Sequence, residues 1–218
     1  MSKLEITLKA NFYICQMSIT LIIIGITALV SFNCFSNRSL FDKLKFNAYA
    51  IAQQKQWYRL FSHALVHGDW MHLGVNMFVL WSFGSSVERY FTAYFGFKGT
   101  VLFIILYLGG VAFASVSALI KHKDNYYYNS VGASGAVGAV LFASILLNPM
   151  SSIYLFFIPI GIPAFIFGPM YIAYEVYMAK RSNDNIAHDA HYWGAVFGFI
   201  LPILFEPKLF VVFLEQVF

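Results

Sequence analysis

Gly132-Ala133-Ser134-Gly135-Ala136-Val137-Gly138-Ala139-Val140-Leu141-Phe142-Ala143 begins as a glycine-flanked turn and ends as a thin-walled apolar helix. Before it lie Lys121, Lys123 and Asp124 and a run of tyrosines, which read as a polar loop. A serine therefore stands where a loop enters a hydrophobic helix. Glycine permits close approach of backbone and reactants. The N-terminus of a helix presents free N–H groups and the positive end of the dipole, which suit a developing oxyanion. Ser134 fits a nucleophile there, and equally a serine used for helix packing.

Working outward, the 218 residues are 60% hydrophobic and only 11% charged, with a mean hydropathy of +0.68. Soluble domains run at roughly 45–50% apolar and about 25% charged. The chain reads as an all-α, multi-pass membrane protein forming one domain over residues 1–218. Six spans are expected, at about 12–32, 71–87, 100–120, 134–147, 163–179 and 191–204. No cleavage site follows the first apolar run, so it is expected to be retained. Residues 153–159 are too short and proline-bound to span and read as a membrane-level loop, and the apolar tail 209–218 is also too short. Residues 33–70 mix Phe41, Phe46, Tyr49, Trp57 and Tyr58 with Lys and Arg59, a composition suited to lying in the headgroup layer. Cys15 and Cys34 flank the first span, so no disulfide is expected between them. The net charge of +4 forms no basic block, which argues against a nucleic-acid partner.

Parity gives the functional pattern. The second, fourth and sixth spans run in one direction, so their N-terminal ends share a side. Those ends carry His72 and Asn76, then Ser134, then His191. Polar groups at membrane depth are costly and usually paired or functional. His72 and Asn76 are four apart and share a helix face. Gly135, Ala139 and Ala143 stripe one face of the fourth span, and Ala190, Gly194 and Gly198 stripe the sixth. Small residues at this spacing let helices pack closely. If the stripes meet, Ser134 and His191 become a nucleophile and its general base, with His72 and Asn76 able to donate to an oxyanion. Asp189 and His188 read as near-surface groups, so a Ser–His dyad is expected without an orienting carboxylate, and His188 is the competing base. His63 and His67 have metal-like spacing, but the residues between are Ala64, Leu65 and Val66, so no metal is expected. They are expected to bond loop backbone, with His122 solvated and Glu88 pairing or capping across the loop that follows the second span.

Arg59 with His63-Ala64-Leu65-Val66-His67, His72-Leu73-Gly74-Val75-Asn76, Gly132-Ala133-Ser134-Gly135-Ala136, and Ala190-His191-Tyr192-Trp193-Gly194-Ala195-Val196-Phe197-Gly198 follow one another in an order that resembles the rhomboid family of intramembrane serine proteases. The resemblance covers essentially the whole chain. It implies a six-helix rhomboid-type bundle with a membrane-lying first loop, and Ser134 as nucleophile, His191 as base, and His72 and Asn76 as oxyanion donors. It implies no cofactor, and it implies the lipid bilayer and single-span membrane proteins as partners. It also implies a cell-membrane location with the active site near the extracytoplasmic face. Two departures stand out. The family's Trp-Arg pair is spaced here as Trp57-Tyr58-Arg59, and the aromatic some members carry four residues after the nucleophile is Gly138. The loop charges run against the implied orientation, with five cations inside and nine outside, five of the nine in the long first loop. The competing readings are a catalytically silent binder of membrane helices and, in another class, a transporter.

Overall fold

The computed structural model describes residues 18–155, 159–181 and 187–218. Cys15 and the start of the first expected span lie outside them. The first described helix, α1 (Ile19–Ser36), begins at a cap built by two residues. The Glu88 carboxylate accepts from Ser18 Oγ at 2.7 Å, from Ile19 N at 2.6 Å and from Thr20 N at 3.0 Å. It thereby satisfies N–H groups that every helix start leaves open. Glu88 therefore caps α1, not the loop after its own helix. That helix also runs further than the expected end at 87. It comprises α5 (Trp70–Val79), a π turn (Leu80–Gly84) and α6 (Ser85–Phe95).

The first loop is built of short pieces: α2 (Arg38–Leu44), β1 (Phe46–Asn47), α3 (Ala48–Gln54), α4 (Arg59–Ser62) and a 3₁₀ turn (His63–Leu65). Arg59 stitches them together, donating from Nη1 to the carbonyls of Asp42 at 2.9 Å and Lys45 at 2.7 Å. Trp57 does not share that task and is half exposed. After α7 (Phe97–His122), β2 (Asn129–Ser130) pairs antiparallel with β1, Phe46 opposite Ser130. The first loop is thus tied directly to the segment that leads into Ser134. His122 is not simply solvated, because its ring stacks on Tyr128 at 3.7 Å.

Helix α8 (Ser134–Leu147) is the centre of the molecule. Eleven of its 14 residues are buried, between α7, the α5–α6 rod, α9 (Ala164–Arg181) and α10 (His188–Phe205). The expected glycine stripes do meet. A β-carbon at Gly194 would collide with the carbonyl of Gly135, and one at Gly198 with the carbonyl of Ala139. The loop before α9 is a small hairpin, β3 (Ser152–Tyr154) against β4 (Gly161–Pro163). The apolar tail forms α11 (Lys208–Val217), bent 116° away from α10.

Helices stand at all six places where spans are expected. By length and composition, two of the described helices, α1 and α7, are long and apolar enough to cross a membrane, and α10 with α11 would pass together but for their bend. The chain is therefore an all-helical membrane protein with at least two candidate spans, apart from its two small β pairings. The far ends of the second and fourth expected spans carry polar groups. Ser82, Ser86, Tyr90, Ser144, Asn148 and Ser151 line a cavity of about 330 Å³ there.

Three stability outcomes follow from these contacts. Gly198→Ala must push α10 off α8 and is expected to cost about 1–3 kcal/mol, the usual penalty for overpacking. Gly74→Ala, where a β-carbon meets nothing within 4 Å, should be neutral in the same thermal melt of detergent-solubilised protein. Glu88→Ala strands buried donors at the start of α1 and is expected to lower the melting temperature by an amount worth about 1–3 kcal/mol.

Candidate active site

Ser134 is the first residue of α8, and among the described residues no side chain caps that helix. Its opening amides are left for an incoming oxygen. The turn before it is shaped by Gly132, whose φ of +113° strongly favours glycine and whose missing β-carbon makes room for the His72 ring. A β-carbon there would lie 2.6 Å from His72 Cε1 and 2.7 Å from Nε2.

The turn is held in place by the two histidines with metal-like spacing. His63 accepts the Gly132 N–H on its backbone carbonyl at 3.0 Å. Its ring Nε2 lies 3.0 Å from Ser115 Oγ, which itself donates to the carbonyl of Val111. His67 Nε2 accepts from Ala133 N at 3.4 Å. That leaves the proton on its Nδ1, which faces Ser31 Oγ at 3.0 Å, and Ser31 in turn donates to the carbonyl of Leu65. Burial pushes the His63 ring down to about 4 and the His67 ring to about 3, so both are neutral and can accept where the loop needs an acceptor. The His67 ring bonds loop backbone, as expected, and reaches Ser31 on α1, whereas the His63 ring reaches Ser115 on α7.

The structure brings Ser134 and His191 together, with Oγ and Nε2 2.8 Å apart. His191 belongs to α10, and the glycine contact with α8 sets this distance. The expectation of a dyad without an orienting carboxylate is corrected. Glu175, from the middle of α9 and 4% exposed, places Oε1 3.2 Å from His191 Nδ1. A carboxylate on Nδ1 fixes the proton there and leaves the Nε2 lone pair facing the serine hydroxyl. His188 is corrected too. It is buried, not near the surface, and its Nδ1 lies 2.6 Å from the other oxygen of Glu175. Asp189 is turned away from both rings and accepts from Ser117 Oγ and Ala190 N.

Sequence neighbours of His191 do not reveal Glu175, which lies 16 residues away on a different helix. The signal was present: it is the one acidic residue in the apolar stretch 163–179. An intramembrane carboxylate is costly enough to demand a partner. The place left empty at Gly138 is approached by Tyr171, one turn before Glu175 on α9. Its hydroxyl lies 4.0 Å from where a Gly138 β-carbon would be.

His72 and Asn76 both lie on α5, and the His72 ring meets the turn that leads into Ser134. His72 packs against Gly132, as described. Asn76 is buried and its Nδ2 donates to the His72 carbonyl at 2.9 Å. Asp69 caps α5 by accepting from His72 N at 2.8 Å, which fixes the start of the helix. The arrangement is a hydroxyl, a base with its orienting carboxylate, an uncapped helix terminus and two flanking donors. Such a set can perform acyl transfer.

Comparison with known proteins points the same way. The chain is 34% identical over 152 residues to RHOMBOID-like protein 12, mitochondrial, of Arabidopsis thaliana, covering 62% of this chain and 43% of that protein. It is 33% identical over 144 residues to the human presenilin-associated rhomboid-like protein, mitochondrial, covering 61% and 34%. It is 30% identical over 100 residues to Rhomboid protease GluP of Bacillus subtilis, covering 44% and 18%. The chain thus spans less than half the length of each of these relatives. The family model for the Rhomboid domain matches residues 54–208, which include His72, Asn76, Ser134, Glu175 and His191. The chain belongs to the rhomboid family.

Proposed function

We propose that the protein is an intramembrane serine endopeptidase that cleaves single-span membrane proteins in or near their membrane segment. The observation that carries this reading is the 2.8 Å contact of Ser134 Oγ with His191 Nε2, with Glu175 on the far nitrogen of the ring. Ser134 attacks the scissile carbonyl while His191 takes its proton. His191 returns that proton to the leaving amine, and water then resolves the acyl-enzyme by the same route. His72, Asn76 and the first amides of α8 hold the oxyanion. Glu175 is a positioning residue for His191. No cofactor and no nucleic acid enters this scheme.

The proposed architecture is a single domain of six spans with the first loop lying at the membrane surface. Helix α8, at 14 residues, is about 21 Å long against a hydrocarbon thickness of about 30 Å. Its serine-bearing end is therefore recessed below one membrane surface, and water must reach it from that side. The face implied by the resemblance is the extracytoplasmic one. The expected cell membrane has no support in the comparisons, because the plant and human relatives are mitochondrial by name. The proposal is accordingly an enzyme of a lipid bilayer, with no compartment assigned. Its substrates should carry helix-breaking small residues, because an intact helix hides its carbonyls in its own hydrogen bonds.

The test is fluorophosphonate labelling of purified protein, run beside cleavage of a generic single-span substrate. Ser134→Ala and His191→Ala should lose both signals, and cleavage by Ser134→Ala at the wild-type rate would sink the assignment. Asn76→Ala should label but cleave roughly 10²–10³-fold more slowly, the usual loss for one oxyanion donor. Glu175→Gln keeps the shape and removes the charge. It should lower kcat by up to about 10²–10⁴-fold, the share that base catalysis carries, with KM nearly unchanged.

A further inference from the structure

We propose that Glu175, His188 and His191 form a binding site for a zinc-class divalent cation that switches off the Ser134–His191 pair. The three residues offer one carboxylate and two imidazole nitrogens whose ligand atoms all lie within 4.8 Å of one another. Each Nδ1 already points at a carboxylate oxygen, at 2.6 Å and 3.2 Å. Around a tetrahedral zinc, with bonds of about 2.0–2.2 Å, neighbouring donor atoms stand about 3.3 Å apart. The His191 separation is close to that spacing and the His188 separation is shorter, so a bound ion needs the His188 contact to open by a few tenths of an ångström and the two nitrogens to draw together. Two histidines and one glutamate form a donor set that zinc accepts while keeping one position open.

Orientation of His191 does not account for this cluster. One carboxylate oxygen suffices to hold one ring. The second histidine is 4% exposed and is directed at the other oxygen of the same group. Burial of that much polar surface is costly unless it is matched. His63 and His67, the pair with metal-like spacing in the chain, lie elsewhere and are engaged with Ser115, Ser31 and Ala133.

The chemical consequence is direct. A cation on His191 Nδ1 excludes the proton from that nitrogen, and the neutral ring then carries its proton on Nε2. The ring donates to Ser134 Oγ where it previously accepted, so it cannot take the serine proton. The Nδ1–H bond is replaced by an Nε2–H bond, the ring keeps one proton, the coordinate bonds form, and no oxidation state changes. The inhibitory half of the proposal rests on the Ser134–His191 reading given above, whereas the binding half does not.

The experiment uses the full chain in chelator-free detergent, without a histidine tag, as wild type, Ser134→Ala and His188→Asn. Co²⁺ is the spectroscopic probe and Zn²⁺ the competitor. Wild type and Ser134→Ala should each bind one Co²⁺ with the visible absorption of a tetrahedral site, and Zn²⁺ should bleach it. His188→Asn should weaken binding by at least about tenfold, the smaller end of the loss seen when even an outer partner of a metal ligand is removed. Zn²⁺ should also abolish fluorophosphonate labelling of the wild type, EDTA should restore it, and His188→Asn should keep labelling at the same Zn²⁺ concentration. No tetrahedral Co²⁺ spectrum in the wild type, or equal binding by His188→Asn, overturns the site. Tetrahedral binding with labelling unaffected by Zn²⁺ overturns the inhibition. Binding with no labelling of the metal-free wild type overturns the protease reading and leaves the metal site standing.

Discussion

The backbones of α8 and α10 touch because Gly194 and Gly198 have no side chains to keep them apart. Almost everything else about the site depends on that contact. It sets the separation of two helix starts, and those starts carry Ser134 and His191. In a bilayer, lipid tails are as apolar as the helix faces, so association rests on close packing and on polar contacts between helices. A stripe of glycine and alanine supplies the first. The Ser134–His191–Glu175 hydrogen bonds supply the second, and they join α8, α10 and α9 in one small network.

A second constraint works from the other side of Ser134. The turn at Gly132 is bonded to His63 and His67, and the β1–β2 pairing joins the same segment to the first loop. The loop is itself held by Arg59. Reactive groups placed on rigid supports keep their geometry. Here the supports are neutral buried histidines, because a protonated ring could not accept from Ala133 N.

Much of this was legible in residues 132–143, in the sixth-span stripe and in the i, i+4 pair of His72 and Asn76. Those are local signals, set by helix periodicity and by the rarity of polar groups in apolar segments. What was not legible lay in which distant segments pair with one another. Glu88 lies far along the chain from the helix start it caps, and the carboxylate that faces His191 sits on a different helix from it. The hairpin at 152–163 and the bend before α11 depend on how short apolar segments find partners, which spacing alone does not specify. The hydroxyl-lined cavity near Ser144 likewise arises from several helices and loops that no single stretch describes.

Because Glu175 reaches His191 from α9, the base is fastened to a helix that carries neither reacting group. Helix α9 meets α8 through Gly168 and the ring of Tyr171, and it leaves Met170, Tyr174 and Tyr177 exposed at its outer surface. Were α9 to tilt outward, Glu175 would move with it and the acceptor that keeps the histidine proton on Nδ1 would be withdrawn. The protonation pattern of one ring is thus keyed to the seating of a separate helix, which amounts to a mechanical interlock made from one carboxylate.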